Sequence, residues 1–154
     1  MVNSIVKESN ILKQNKVTHS LKVIANKLSG CGISWIIGGS SSLLIHGLNV
    51  VPNDIDIIVE PKDFESILKV LREYIVDEDN TTKHANFRVG GVNGEILSMT
   101  IYKNEVVEKN FKDVVIPVND LIFEYKYYLK RSFKSESTIE KIKMIEDYLN
   151  INKK

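Results

Sequence analysis

Asp54-Ile55-Asp56-Ile57-Ile58 is the segment that most constrains how this chain can fold. Carboxylate and aliphatic residues alternate, and on a strand residues two apart share a face. Asp54 and Asp56 therefore project together, in phase with Ile58, while Ile55 and Ile57 enter a core. Such a strand needs helices or a second sheet over its apolar side. Two carboxylates side by side repel unless a positive charge stands between them, and magnesium suits that place because it takes one or two carboxylates together with phosphate oxygens. Asp77-Glu78-Asp79 repeats the pairing, but in a polar run without a preceding glycine turn, and reads as a solvated loop.

The flanking periodicities supply the rest of the fold. Residues 10–28 carry apolar positions at helical spacing and end at Ser29-Gly30-Cys31-Gly32. Residues 33–37 read as a buried strand running into Gly38-Gly39, with Ser40 placed to cap a short helix over 41–46. Residues 54–60 form the second strand, and Pro61 opens an amphipathic helix over 62–74. Residues 75–88 look irregular, with room for a short strand. A hairpin is expected over 87–92 and 95–102 around Asn93-Gly94, followed by a last strand over 114–118. Asn119 or Asp120 caps a helix to about residue 131, and Ser135 or Ser137 starts another to about 149. The class is α/β (α+β): a mixed sheet flanked by helices, with a C-terminal helical pair. One domain over 1–154 is expected, its core at about 10–118 and its terminal helices at about 119–150.

Charge and composition narrow the function. Lys and Arg number 21 against 20 Asp and Glu, and a net charge of +1 gives no basic track for nucleic acid. No apolar run is long enough to span a bilayer, so no membrane partner is expected. The one cysteine, Cys31, cannot close an internal disulfide, which points to a reducing, cytoplasmic setting.

Three features carry chemistry. Ile37-Gly38-Gly39-Ser40 lies between strand and helix, where glycines let a phosphate approach the backbone; taken alone it equally describes a tight turn with a serine cap. The Asp54/Asp56 pair follows. Glu95, in phase with Leu97, Met99 and Ile101, is either one more charged hairpin residue or a third carboxylate at the edge of the same face. His46 reads as a partly buried helix residue. Lys83, His84 and Arg88 read as loop charges within reach of a phosphate. Tyr125, Tyr127 and Tyr128 with Lys126, Lys130 and Arg131 read as a packed face beside a solvated one, from which Lys126 or Lys130 could reach a phosphate. No aromatic pair stands near the glycine turn in sequence to clamp a base.

Taken together, Gly38-Gly39-Ser40, Asp54-Ile55-Asp56 and a later acid-bearing strand resemble the nucleotidyltransferase superfamily typified by DNA polymerase beta, in particular its small stand-alone (minimal) members. The motif lies within residues 35–60, and the order of elements extends the likeness over most of the chain. The resemblance implies that Gly38, Gly39 and Ser40 are nucleotide-binding and hold the triphosphate. It implies that Asp54, Asp56 and Glu95 are catalytic and bind Mg2+ in a two-ion site, with Glu95 nearest the attacking hydroxyl. The implied reaction moves a nucleoside monophosphate from a nucleoside triphosphate to a hydroxyl of a small molecule or partner protein. The alternative is a non-catalytic nucleotide- or partner-binding module of antitoxin type that keeps the fold. Glu95 stands where the family more often has Asp, and the span from Gly39 to Asp54 is long for the motif.

Overall fold

The computed structural model describes the backbone of residues 2–150 and the side chains of residues 5–150. The first helix, α1 (Val2–Leu28), begins well before residue 10, because no glycine or proline precedes that point to stop it. Its second half does the packing, with Val17, Leu21, Ile24, Ala25 and Leu28 buried. Strand β1 (Trp35–Gly38) leads directly into helix α2 (Gly39–Ile45). Gly38 occupies the cap position with no side-chain hydrogen bond, so Ser40 sits inside the helix rather than capping it.

Strand β2 (Ile55–Val59) follows with the expected alternation: Ile55, Ile57 and Val59 buried, Asp56 and Ile58 half-buried. The expected single helix over 62–74 is broken into a 3-10 turn (Pro61–Asp63), helix α3 (Phe64–Val70) and a second 3-10 turn (Arg72–Tyr74). The run expected as loop is strand β3 (Ile75–Asp79), paired antiparallel with β4 (His84–Val89). Its outward carboxylates suit a sheet edge, where charge discourages further strand pairing.

Strand β5 (Val92–Ser98) pairs with β4 through Gly90-Gly91, not Asn93-Gly94. Both turn glycines have positive φ (57° and 80°), as a two-residue hairpin turn demands. Gly94 lies within β5 for a packing reason: a Cβ there would run into the Phe87 ring and the Ile55 carbonyl. Strand β6 (Val106–Phe111), which the sequence pattern did not reveal, forms a hairpin with β7 (Val114–Asn119). Helix α4 (Leu121–Leu129) is capped by Asp120, whose carboxylate accepts from the Ile122 N–H at 3.1 Å. Helix α5 (Glu136–Leu149) is capped by Ser135.

Among the described residues seven strands form one mixed sheet, in the order β3-β4-β5-β2-β1-β7-β6. β1 and β2 are antiparallel, while β2–β5 and β1–β7 are parallel. Helices α1 and α3 cover one face and bury Ile37, Ile55, Ile57, Phe87, Ile96 and Val118. Each such side chain contributes about 1.5–3 kcal/mol by leaving water. A second cluster (Leu43, Leu48, Leu121, Tyr128 and Ile145) fastens α4 and α5 to α2. The helical pair thereby stands beside the sheet's other face, the one that carries the aspartates.

Candidate active site

Strand register brings the motif residues together. Gly38 lies opposite Asp56, and Asp56 lies opposite Glu95, so the glycine turn and two acids form one row across β1, β2 and β5. Asp54 lies at the bend just before β2 rather than in the strand, is exposed, and its charge acts on Asp56. Beyond Glu95 comes Asn86, and His84 Nε2 stands 3.4 Å from Glu95 Oε1. His84 is thus a strand residue beside the acid row rather than a loop charge. At the other end of the row, Val118 pairs with Ile37, so Asn119 follows beside Gly38.

The turn and the acids touch. Gly39 has φ +61°, and a Cβ on it would lie 2.7 Å from Asp56 Oδ2. Only a residue without a side chain lets the turn pass this carboxylate in a left-handed conformation. Ser41 Oγ donates to the Asp54 carbonyl at 3.1 Å and so fixes the start of β2 against α2. Ser42 is buried, which leaves Ser40 as the partly exposed serine of the three.

Asp56 is the electrostatic centre. Burial first, then the Asp54 and Glu95 charges, push its carboxyl up to about 6, while Lys141 pulls the other way. Lys141, on α5, is half-buried; burial and Arg131 lower its pKa, against the pull of Asp56, Asp54 and Glu124. The sequence offered no pointer to Lys141, because only the packing of Thr138 and Ile145 tells which side of α5 turns inward. Lys126 and Lys130, candidates by sequence, are exposed on α4. His46 is a buried strut: Nε2 is 2.7 Å from the Asn119 carbonyl oxygen, and its own carbonyl accepts from Tyr148 Oη at 3.1 Å.

From Gly39 and Asp56 a cleft of about 190 Å3 runs between the sheet and α4. Ile36, Ile58 and Leu97 line the sheet side, and Phe123 and Tyr127 the helix side. Asn119 and Glu124 add polar groups to the wall. Burial pushes the Glu124 carboxyl up to about 7, against a hydrogen bond from Asn119 and the charge of Arg131. Arg131 lies over the Tyr127 and Tyr128 rings, 5.3 and 4.8 Å from their centroids.

Among the described residues no group of three His, Cys, Asp or Glu forms a ready-made metal cage. A magnesium ion needs none, since it is commonly held by one or two carboxylates together with substrate phosphates. The donor chemistry fits: Asp54 and Glu95 both raise the Asp56 pKa, a repulsion that a cation would relieve.

No protein-family model matches the chain, and no curated protein sequence does. Solved structures do. A crystal structure of a nucleotidyltransferase described as putative, from Thermotoga maritima, has a TM-score of 0.65 at 21% identity, over 84% of this chain and 90% of that one. The chain has the nucleotidyltransferase fold. Lincosamide antibiotic adenylyltransferase LnuA in its lincomycin-bound form matches at TM-score 0.66 and 13% identity, over 83% of this chain and 95% of that one. ANT(2")-Ia in complex with adenylyl-2"-tobramycin matches at 0.57 and 12%, over 90% and 92%. In this nucleotidyltransferase fold the seven-stranded sheet and the C-terminal helical pair agree with the expected class.

The raised Asp56 pKa has a consequence for stability. Below about pH 4 the carboxyl is protonated in both folded and unfolded chains and costs nothing. As pH rises from about 4 to 6 the unfolded chain releases its proton first, so stability falls, and above about 6 the full penalty is present. For a half-exposed group, solvent screening reduces this to on the order of 1–2 kcal/mol. Without metal, Asp56→Asn should raise the melting temperature at pH 8 by a few degrees and leave it unchanged at pH 4. A variant less stable than the parent at pH 8 in thermal melts would contradict this electrostatic picture.

Proposed function

We propose that this protein is a magnesium-dependent nucleotidyltransferase that moves a nucleoside monophosphate from a triphosphate to a hydroxyl of a small molecule or partner protein. The observation that carries this reading is the register row Gly38–Asp56–Glu95, with Gly39 pressed against the Asp56 carboxylate. In this reading the backbone N–H groups of Gly38 and Gly39 and the hydroxyl of Ser40 receive the triphosphate. Lys141 adds positive charge on the side of Asp54 and Asp56. Asp54, Asp56 and Glu95 would hold the metal, which supplies charge stabilisation to the entering and leaving oxygens when bound.

The acceptor oxygen attacks the α-phosphorus, the bond to the bridging oxygen breaks, and pyrophosphate leaves. Glu95, beside His84, stands on the far side of Asp56 from the glycine turn, where it would face the incoming hydroxyl and favour loss of its proton. Among the described residues the sheet face and the helical pair flank the acid row on the acceptor side, and a net charge of +1 gives a long nucleic acid no track. The adenylyltransferase names among the structural neighbours support nucleotidyl transfer to small molecules as the reaction class. Among the described residues no helix is long and apolar enough to cross a membrane, and we place the protein in the cytoplasm, in keeping with one exposed cysteine.

The test is transfer itself. With magnesium, nucleotides labelled in the α-phosphate and fractionated cell extract as acceptor, label should appear on one fraction, with release of pyrophosphate and little turnover when no acceptor is present. Efficient template-free extension of a DNA or RNA primer would instead indicate a polymerase-like role. Label transfer that persists in the presence of a chelator would contradict the metal assignment.

A further inference from the structure

The chemistry above leaves unused a group of basic residues around the Gly90-Gly91 turn, at the end of the β4–β5 hairpin. Resting on the nucleotidyltransferase reading, we infer that they hold a phosphate group carried by the acceptor. The substrate is then a small hydroxyl compound that bears a phosphate monoester.

Placement is the first argument. Arg88, expected as a loop charge, is a residue of β4 paired in register with Asn93 on β5. Asn86, two residues before it, pairs with Glu95. Side chains two apart on a strand share a face, about 7 Å from one another. Arg88 therefore stands one step from Glu95 on the same face, on the side of the acid row away from the glycine turn, where the acceptor hydroxyl is placed. Arg88 Nη1 donates to Asn93 Oδ1 at 2.8 Å, which holds the guanidinium over this end of β5. Lys16, on α1, comes to the same turn: a Cβ on Gly91 would lie 3.6 Å from its Nζ. Lys13, Lys16, Asn53, Gly91 and Asn93 line one cavity of about 200 Å3, room for a phosphate group and a few waters. Asn53 immediately precedes Asp54, so the cavity adjoins the acids on β2 as well as Glu95 on β5.

Charge is the second argument, and it selects the ligand. Lys13, Lys16 and Arg88 are exposed, and among the described residues none of the three makes an ion pair. Arg88 has a neutral amide for a partner, not a carboxylate. Three like charges around one turn repel one another, and an anion between them removes that cost. The chain as a whole carries only +1, so the excess is local. A carboxylate would bring one negative charge. A phosphate monoester brings close to two at neutral pH, with three strong acceptor oxygens, and suits the fork of a guanidinium. One such group needs no basic track, unlike a nucleic-acid backbone that is held phosphate by phosphate. The step of about 7 Å from Arg88 to Glu95 is the span of a sugar-sized unit between its phosphate and its reacting hydroxyl.

Two measurements test this. In the first, amide NMR follows a titration of the metal-free protein with inorganic phosphate. Saturable shifts should concentrate at Asn53, Gly91 and Asn93. They should be lost in the Lys16→Gln/Arg88→Gln variant, whose changes are both on the surface and whose spectrum should remain that of a folded protein. No saturable shift at these amides, or shifts of equal size in the variant, would overturn the inference. In the second, the small-molecule fraction of a cell extract is treated with alkaline phosphatase, freed of the phosphatase, and offered as acceptor with magnesium and labelled nucleotide. Labelling should fall about tenfold or more against a mock-treated fraction, the scale of losing a charged hydrogen-bond partner. Undiminished labelling would overturn the inference. So would loss of labelling on ribonuclease treatment alone, which would make an RNA end the acceptor. Transfer without phosphate binding at this turn would overturn the inference and leave the nucleotidyltransferase reading standing. Phosphate binding here without transfer to any fraction would overturn that reading, and the acceptor assignment with it.

Discussion

Gly39→Val should lose nucleotide binding by roughly two orders of magnitude while the sheet still forms. Two effects act at this position. Gly39 has φ +61°, a region that costs an ordinary L-residue about 1–2 kcal/mol and a β-branched one more. The new Cβ would also meet Asp56 Oδ2 at 2.7 Å. Asp56 is short, and its backbone is held by pairing to both Gly38 and Glu95, so relief comes from turning the carboxylate out of the row or lifting the turn off it. In the proposed site, either movement would separate the glycine turn from the acids assigned to the metal. Gly39→Ala should show the same direction more mildly. Circular dichroism should report a folded protein, and calorimetry should report the loss; nucleotide affinity within twofold of the parent would show that phosphate does not bind here.

The parts of this site that could be read from sequence are those encoded by local spacing. The Asp54/Asp56 phase follows from period-two alternation, and the structure shows it as buried Ile55 and Ile57 beneath a half-buried Asp56. The starts of the last two helices are legible to within a choice of two caps each, Asn119 or Asp120 and Ser135 or Ser137, and the structure takes Asp120 and Ser135. Ambiguity arose where two local signals competed. Gly90-Gly91 and Asn93-Gly94 both suit a hairpin turn, and only the contacts of Phe87 and Ile55 with Gly94 place the latter inside a strand. Ser40 is a sound cap candidate, yet the cap and the helix start each fall two residues earlier, at Gly38 and at Gly39, the glycine that the carboxylate contact demands.

What sequence could not give depends on long-range packing. Val106-Val107-Glu108-Lys109-Asn110 lacks clean alternation, and becomes strand β6 because β7 offers it a partner along its whole length. Asp77-Glu78-Asp79 becomes an edge strand through pairing with 84–86. Lys141, Asn119 and Glu124 reach the site through the cluster of Leu43, Leu121, Tyr128 and Ile145, a contact set that no local window contains. Arg131 lay inside a basic and aromatic run that was visible, but the choice of Arg131 over Lys126 and Lys130 is made by where α4 ends.

Replacing Asp54 and Asp56 together by asparagine should have the largest effect on chemistry. The change keeps side-chain size, removes both charges and relieves the repulsion that raises the Asp56 pKa, so the metal-free protein should fold at least as well as the parent. Transfer should fall by roughly 10²–10³-fold or more, because in the proposed mechanism charge stabilisation at the reacting phosphate depends on these carboxylates. The most direct measurement is calorimetric titration of the folded double variant and the parent with a non-hydrolysable nucleoside triphosphate, with and without magnesium. Binding that magnesium strengthens in the parent and no longer strengthens in the double variant is the predicted result; equal magnesium-dependent affinity in the two proteins would contradict the assignment of this acid row as the metal–nucleotide site.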